Sequence, residues 1–280
     1  MSYKTILAIL QSEADAPRVL DLALPLAARH DSHVIGLHAE ALPMVMASPM
    51  GGPVVDLSVD MQEETNRRHA VIRNLFNERA RKEAVGNEWR GFDSVSGDSA
   101  ISGIESARSA DLVIAQQTDP DAAGAMEANV EALLFESGRP VLFVPYIHKA
   151  REAEFKKIIL AWNGSRQAAR AAFDALPFMK EAGSVEVFCV DPQDTPRRDA
   201  AMAGTAIAAA LARHDIDVTV KMEQSGGLSH GEVLDNRVAD TGADLLVMGA
   251  FGRSRLREFV FGGATRTILQ SMTVPTFMAH

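Results

Sequence analysis

The sequence predicts an α/β fold built twice over, and three observations carry that reading. The chain repeats itself coarsely, its apolar runs are short, β-branched and nearly free of charge, and longer stretches of helical spacing separate them. The repeat opens with Lys4-Thr-Ile-Leu-Ala8 in the first half and Lys156-Lys-Ile-Ile-Leu-Ala161 in the second. A Leu-Pro pair follows in each, at Leu24-Pro25 and Leu176-Pro177, within an alanine-rich stretch. Second apolar runs come at Ser32–Leu37 and Ser184–Val190, and Ala-Asp-Leu recurs at Ala110 and Ala243. Both halves close on a short hydrophobic strand near a proline, Pro140–Val144 and Val274–Met278.

Uncharged runs of this kind suit parallel strands covered on both faces. Alternation with helical stretches gives two tandem Rossmann-like doubly wound domains, each with a mainly parallel sheet of about five strands. The expected domains are residues 1–148 and 155–280, with the boundary in the charged run His148–Glu154. Right-handed crossovers then place the ends of the first and fourth strands of each half beside a central cleft. Residues Ala41–Met61, with Pro43, Pro49, Gly51, Gly52 and Pro53, read as a long loop: a lid, an interface arm or a surface excursion. A polar helix is expected over Glu63–Lys82. In the second half, Ser165 is a good N-cap for a helix that lines up Ala168, Ala171, Ala172 and Ala175. Further helices are expected over Thr195–Arg213, despite Gly204, and over Leu228–Thr241, with a strand at Val218–Met222 between them.

Composition excludes several classes. Acidic residues outnumber basic ones 37 to 28, which argues against a nucleic-acid surface but not against a nucleotide held by one local loop. Cys189 is the sole cysteine, so the chain forms no internal disulfide and no cysteine-cluster metal site. No signal-peptide pattern opens the sequence, and no apolar stretch approaches the roughly 20 residues that span a bilayer. A soluble, cytoplasmic protein is the expectation.

The sharpest local signal is Gly249-Ala-Phe-Gly252, followed by Gly262-Gly263. It lies between the apolar run Leu245–Met248 and the helical stretch from Ala264, the strand–loop–helix context in which backbone N–H groups cradle a phosphate. Arg253, Arg255 and Arg257 either neutralise phosphates there or decorate a solvated turn. The first half has no paired loop glycines after Ile114 and carries Asp119 and Asp121, so it reads as a copy without the cradle. Trp162 covers a base or packs at the sheet, Gly164 makes a tight turn, and Cys189 reads as a buried strand residue. His230 marks a helix start, and His30, His33 and His38 lack metal-ligand spacing. There is no G-x-x-x-x-G-K-(S/T) and no G-x-S-x-G, and no general base stands out, so any nucleotide hydrolysis would be very slow.

At these residues the chain resembles the universal stress protein family, whose nucleotide-binding members carry G-x2-G-x9-G-(S/T) after the fourth strand. Gly249, Gly252 and Gly262 meet that spacing, with Gly263 at the Ser/Thr position and Asn163 where the pattern usually has aspartate. The coarser likeness covers both halves, as in a tandem protein of this family. The resemblance implies an adenine nucleotide, usually ATP, in the second half, acting as a regulatory or stress-protective switch. Carried over, it places Asn163 near the ribose and lines the phosphates with Gly249, Gly252 and Gly262 on the Gly249–Gly263 loop, with Thr265 as a substitute for the hydroxyl lost at Gly263; Gly164, Arg253 and Gly263 complete the expected nucleotide-binding set. A nucleotide-associated Mg²⁺ is the expected companion; Asp191, just beyond the second strand, could help hold it, but one carboxylate is not a metal site. It also implies pairing of halves or of chains through the last strands. The competing reading is a nucleotide-independent, homo-oligomeric interaction scaffold, favoured by Asn163, Gly263 and the degenerate first half.

Overall fold

The computed structural model describes residues 2–41, 55–119, 129–147, 154–192, 200–251 and 263–280. The first half runs β1 (Thr5–Ile9), α1 (Ala16–His30), β2 (His33–Ala41), α2 (Val55–Lys82), β3 (Gly86–Ser94), α3 (Ser99–Arg108), β4 (Leu112–Gln116), α4 (Val130–Glu136) and β5 (Val141–Val144). The second runs β6 (Lys157–Ala161), α5 (Arg166–Asp174), α6 (Leu176–Glu181), β7 (Ser184–Val190), α7 (Ala200–Ala212), β8 (Val218–Glu223), α8 (His230–Thr241), β9 (Leu245–Gly249), α9 (Ala264–Ser271) and β10 (Thr276–Ala279).

Among the described residues all ten strands form one sheet, in the order β3-β2-β1-β4-β5-β10-β9-β6-β7-β8. Within each half every pairing is parallel, and the halves meet where β10 runs antiparallel to β5. There Phe277 faces Leu142, flanked by Thr276 opposite Phe143 and Met278 opposite Val141. The expected last-strand pairing therefore joins the two halves within one chain.

Strand residues alternate between two cores. Ile6, Ile114, Leu142, Leu160, Val247 and Phe277 face the layer of α1, α2, α5, α6 and α7. Leu7, Val113, Phe143, Ile159, Leu246 and Met278 face α3, α4, α8 and α9. Burial on both faces accounts for the unbroken apolar runs of the central strands. The two edge strands are different: β3 and β8 are mostly exposed and carry charged or polar residues, which blunts their open hydrogen-bonding edges.

Two expectations shift. The helix expected from Glu63 begins at Val55, so its first two turns lie in the stretch read as loop; residues 42–54 fall outside the description. The Leu-Pro pairs also diverge. Pro25 is inside the continuous α1, whereas Pro177 opens α6 after α5 ends at Asp174. A proline is tolerated best in a first helical turn, where no intrahelical N–H bond is lost. The helix expected over Thr195–Arg213 is seen as α7; residues 193–199 and most of the expected domain boundary lie outside the described residues. No described helix is long and apolar enough to cross a membrane.

A polar cluster ties α2 to β2. Arg68 reaches Glu40 Oε2 at 3.0 Å, and the buried His38 ring bridges Leu10 O and Glu40 Oε1 at 2.6 and 3.0 Å. Trp89 Nε1 donates to His69 Nε2 at 3.2 Å. Burial holds His69, and His30 at the end of α1, below the ordinary histidine value of 6.5. The unfolded chain takes up protons at both positions as pH falls past that value, while the folded chain resists. Stability contributed this way is full above about pH 6.5 and is lost on acidification, by about 1.4 kcal/mol per pK unit of depression. Urea unfolding between pH 7.5 and 5.5 should show falling stability, and a His30→Gln/His69→Gln double variant should flatten that slope.

Candidate functional site

Doubly wound sheets bind ligands beyond the carboxyl ends of their strands, where the strand order reverses. Each half has one such crevice, at β1/β4 and at β6/β9. Equivalent hydrogen bonds align the two. Leu10 N–H donates to Leu37 O as Trp162 N–H does to Phe188 O, both at 2.8 Å. Val113 N–H donates to Pro140 O as Leu246 N–H does to Pro275 O, both at 3.1 Å. Gln11 therefore corresponds to Asn163, and Gln116 to Gly249. By element order, Asp98 (N-cap of α3) corresponds to Ser229 (N-cap of α8), and Asn129 (N-cap of α4) to Gly263 (N-cap of α9).

In the second half, Asn163 Oδ1 accepts from Ser165 N at 3.0 Å, and Ser165 Oγ caps α5 through Ala168 N at 3.1 Å. Gly164 links them at φ +69°, a left-handed conformation that suits glycine. The Asn163 side chain is thus turned back on its own loop, with the amide N–H₂ not used in the turn. Across the crevice, β9 ends at Gly249, where a Cβ would lie 2.4 Å from Ala168 N. Glycine is required there because the strand end presses on the backbone of α5, an observed constraint that comes before any phosphate.

Beyond Gly249 the chain is held at each step. Ala250 N–H donates to Ala279 O at 2.8 Å, and Phe251 N–H donates to Thr265 Oγ1 at 3.0 Å. Phe251 sits at φ +51°, unusual for an aromatic residue, and its ring lies 4.5 Å from that of Phe135 in the first half. Thr265 is buried, its oxygen engaged with the loop entry, so the structure gives this hydroxyl a bracing contact rather than a place at the mouth. Gly263 opens α9 without a side-chain cap. Gly252, Arg253 and Gly262, the remaining expected phosphate residues, lie outside the described residues.

At the end of β7, Asp191 adopts φ +45°. Its carboxylate accepts from Ser225 N at 2.8 Å and lies 3.1 Å from His230 Nε2. Hydrogen bonds from Ser225, then the His230 ring, hold its pKa below the ordinary value. These contacts occupy Asp191, and among the described residues no cluster of His, Cys, Asp and Glu forms a metal site. Trp162 is half-buried against the α5–α7 side of the core. Cys189 is buried, and burial raises its thiol pKa.

The first crevice is closed by its own side chains. Gln11 spans it, Nε2 donating to Gly97 O at 2.9 Å and Oε1 accepting from Ser99 N at 2.8 Å. Asp98 joins the starts of α3 and α4, as its hydrogen bonds to Ala100, Ile101 and Asn129 show. Sequence reading missed both residues, and it missed Gln117, whose buried amide donates to Leu269 O across the two halves at 2.9 Å. The Asp-Ser-Ala run at Asp98 was a legible helix cap; what it reaches across to was not.

The family model for universal stress proteins matches residues 154–280. This half is similar to the universal stress protein family. Over the whole chain the fold is that of a universal stress protein from Archaeoglobus fulgidus DSM 4304, with TM-score 0.71 and 15% identity, covering 100% of this chain and 96% of that one. A functionally unknown protein from Pseudomonas aeruginosa PAO1 is similar too, with TM-score 0.62 and 15% identity over 99% and 92%. No curated protein matches the sequence. At these identities the structural likeness speaks for the fold, and it extends the two-domain layout of the universal stress protein fold across both halves.

Two substitutions test the bracing of the loop. Thr265→Val leaves Phe251 N–H without its acceptor in a buried setting and should cost about 1–3 kcal/mol in urea unfolding, with Thr265→Ser near wild type. Gly249→Ala forces β9 off α5 and should cost a similar amount, about 1–3 kcal/mol; a neutral result would contradict the close approach.

Proposed function

We propose that the second half binds an adenine nucleotide, ATP, in the β6/β9 crevice, and that occupancy acts as a regulatory or stress-protective switch. The observation that carries this reading is the crevice itself. On one side stands the Asn163-Gly164-Ser165 turn, and on the other the start of α9 at Gly263, which has no side-chain cap. The universal stress protein match over residues 154–280 supports the choice of an adenine nucleotide. Asn163 offers an amide donor toward the ribose without adding negative charge beside the phosphates. The phosphates meet the glycine loop and the amides of α9, with Arg253 and its neighbours as counter-charges. A Mg²⁺ ion would accompany the triphosphate through phosphate oxygens, since Asp191 is already engaged by Ser225 and His230.

In the scaffold reading, association would rest on the sheet. Here the terminal strands β5 and β10 satisfy each other inside one chain, so a second copy would have to pair at the polar edges β3 and β8. That favours the nucleotide switch over a scaffold assembled through last strands.

Calorimetry on nucleotide-stripped protein should give one ATP site per chain with Kd of about a micromolar, near −8 kcal/mol, and weaker binding of GTP. Gly252→Val should abolish that heat while leaving the melting temperature close to wild type. Absence of any response to ATP, ADP or AMP, with or without Mg²⁺, would refute the assignment.

A further inference from the structure

We propose that Phe135, in the last helix of the first half, is a positioning residue for the phosphates bound by the second. The proposal rests on the nucleotide reading above and names the contact through which the first half governs that site. Its basis is the way the chain leaves β9. Phe251, which leads into the expected phosphate loop, adopts φ +51° and is the one aromatic residue at positive φ among the described residues. That conformation is disfavoured for a side chain with a Cβ, so the surroundings must hold it. Ala250 N–H donates to Ala279 O at 2.8 Å and Phe251 N–H donates to Thr265 Oγ1 at 3.0 Å, which fixes the backbone on either side of the Ala250–Phe251 bond. The Phe251 ring itself lies 4.5 Å from that of Phe135. Phe135 also meets the His280 ring at 4.9 Å, and His280 Nδ1 donates to Ala250 O at 3.0 Å. One side chain of the first half thus completes the set of contacts around the exit from β9.

The equivalent place in the first half is built differently. Gln117 N–H donates to Val144 O as Ala250 N–H does to Ala279 O, both at 2.8 Å, so Thr118 corresponds to Phe251. Thr118 is not at positive φ. Counting from the caps Asn129 and Gly263, Phe135 corresponds to Leu269. Each half's last helix therefore meets the other half at the end of its fourth strand, but by different chemistry. At the end of β4 the contact is a hydrogen bond, from Gln117 Nε2 to Leu269 O at 2.9 Å. At the end of β9 it is a pair of rings, and one of them belongs to a residue in a strained conformation. Strained exit and aromatic clamp occur together, in the half that carries the glycine loop. Without the clamp, Phe251 would relax to negative φ and redirect the chain entering that loop. A ligand then meets only the fraction still in the competent conformation, and its apparent Kd rises as the inverse of that fraction.

Full-length wild type, Phe135→Ala, Phe135→Tyr and Phe251→Gly would be titrated with ATP, inorganic tripolyphosphate and adenosine, with urea unfolding to confirm that each is folded. Phe135→Ala should weaken ATP and tripolyphosphate by about tenfold, the change expected if the competent fraction falls to about one in ten. Adenosine binding should be unchanged, a split that general loss of stability would not produce. Phe135→Tyr keeps the ring and should hold ATP within about threefold of wild type. Glycine takes up positive φ without a clamp. Adding Phe135→Ala to Phe251→Gly should therefore change ATP affinity by less than about twofold. Should Phe135→Ala fail to fold, Phe135→Leu, which keeps an apolar side chain but no ring, replaces it with the same expectations. Undiminished ATP binding in the folded variant, an equal loss of adenosine, or the same tenfold loss in the Phe251→Gly background would overturn the proposal while leaving the nucleotide site standing. A wild type that binds neither ATP nor tripolyphosphate would overturn both.

Discussion

The antiparallel pairing of β5 with β10 is the constraint on which the rest of the molecule depends. Without it each half would end on a short apolar strand with an open edge, the feature that promotes uncontrolled association. With it the two edges satisfy each other and one sheet runs through both halves. The alignment of the repeats makes Leu142 and Phe277 equivalent, and these two face each other across the junction. The chain thus reproduces internally the self-complementary interface of a twofold dimer. Among the described residues only β3 and β8 remain as edges, and both are mostly exposed, with charged and polar residues interspersed among apolar ones.

That junction also places the first half where it supports the second. Phe135 of α4 packs against Phe251, the residue that begins the loop after β9, and lies 4.9 Å from the ring of His280. His280 in turn contacts Ala250 O at 3.0 Å. Gln117 meets the end of α9, and Tyr3 donates to Asp174 O at the end of α5. These contacts give the degenerate half a physical role. Its own crevice is closed by Gln11 and Asp98, while its helices and strand ends brace the loop of its partner. A duplicated fold can specialise in this way because each copy needs only its core to fold, and the crevice residues are free to diverge.

How far the sequence could be read follows from which interactions are local. The repeat, the apolar runs and the Ser165 cap are properties of neighbouring residues, and the structure has the corresponding strands, helices and cap. The start of α2 was not legible because Val55–Met61 has no clear helical period and follows a proline- and glycine-rich stretch. Gly249 was legible as a special position, but its reason, the pressure of Ala168 on the strand end, depends on a helix more than 80 residues earlier in the chain. Thr265 was read as a ligand hydroxyl from its place after the glycines; its contact with Phe251 N joins residues 14 positions apart and appears only in the folded chain. Asp98 looks like an ordinary helix cap until α4 is set beside it.

The central claim is that one of two topologically equivalent crevices receives a nucleotide. Hydrogen exchange followed by mass spectrometry, with and without Mg-ATP, tests it most directly because it reads both crevices in one protein. The account predicts slowed exchange in peptides covering residues 162–168 and 249–267, with no change in those covering 10–16 and 97–102. Equal protection of both crevices, or protection confined to the first, would contradict it.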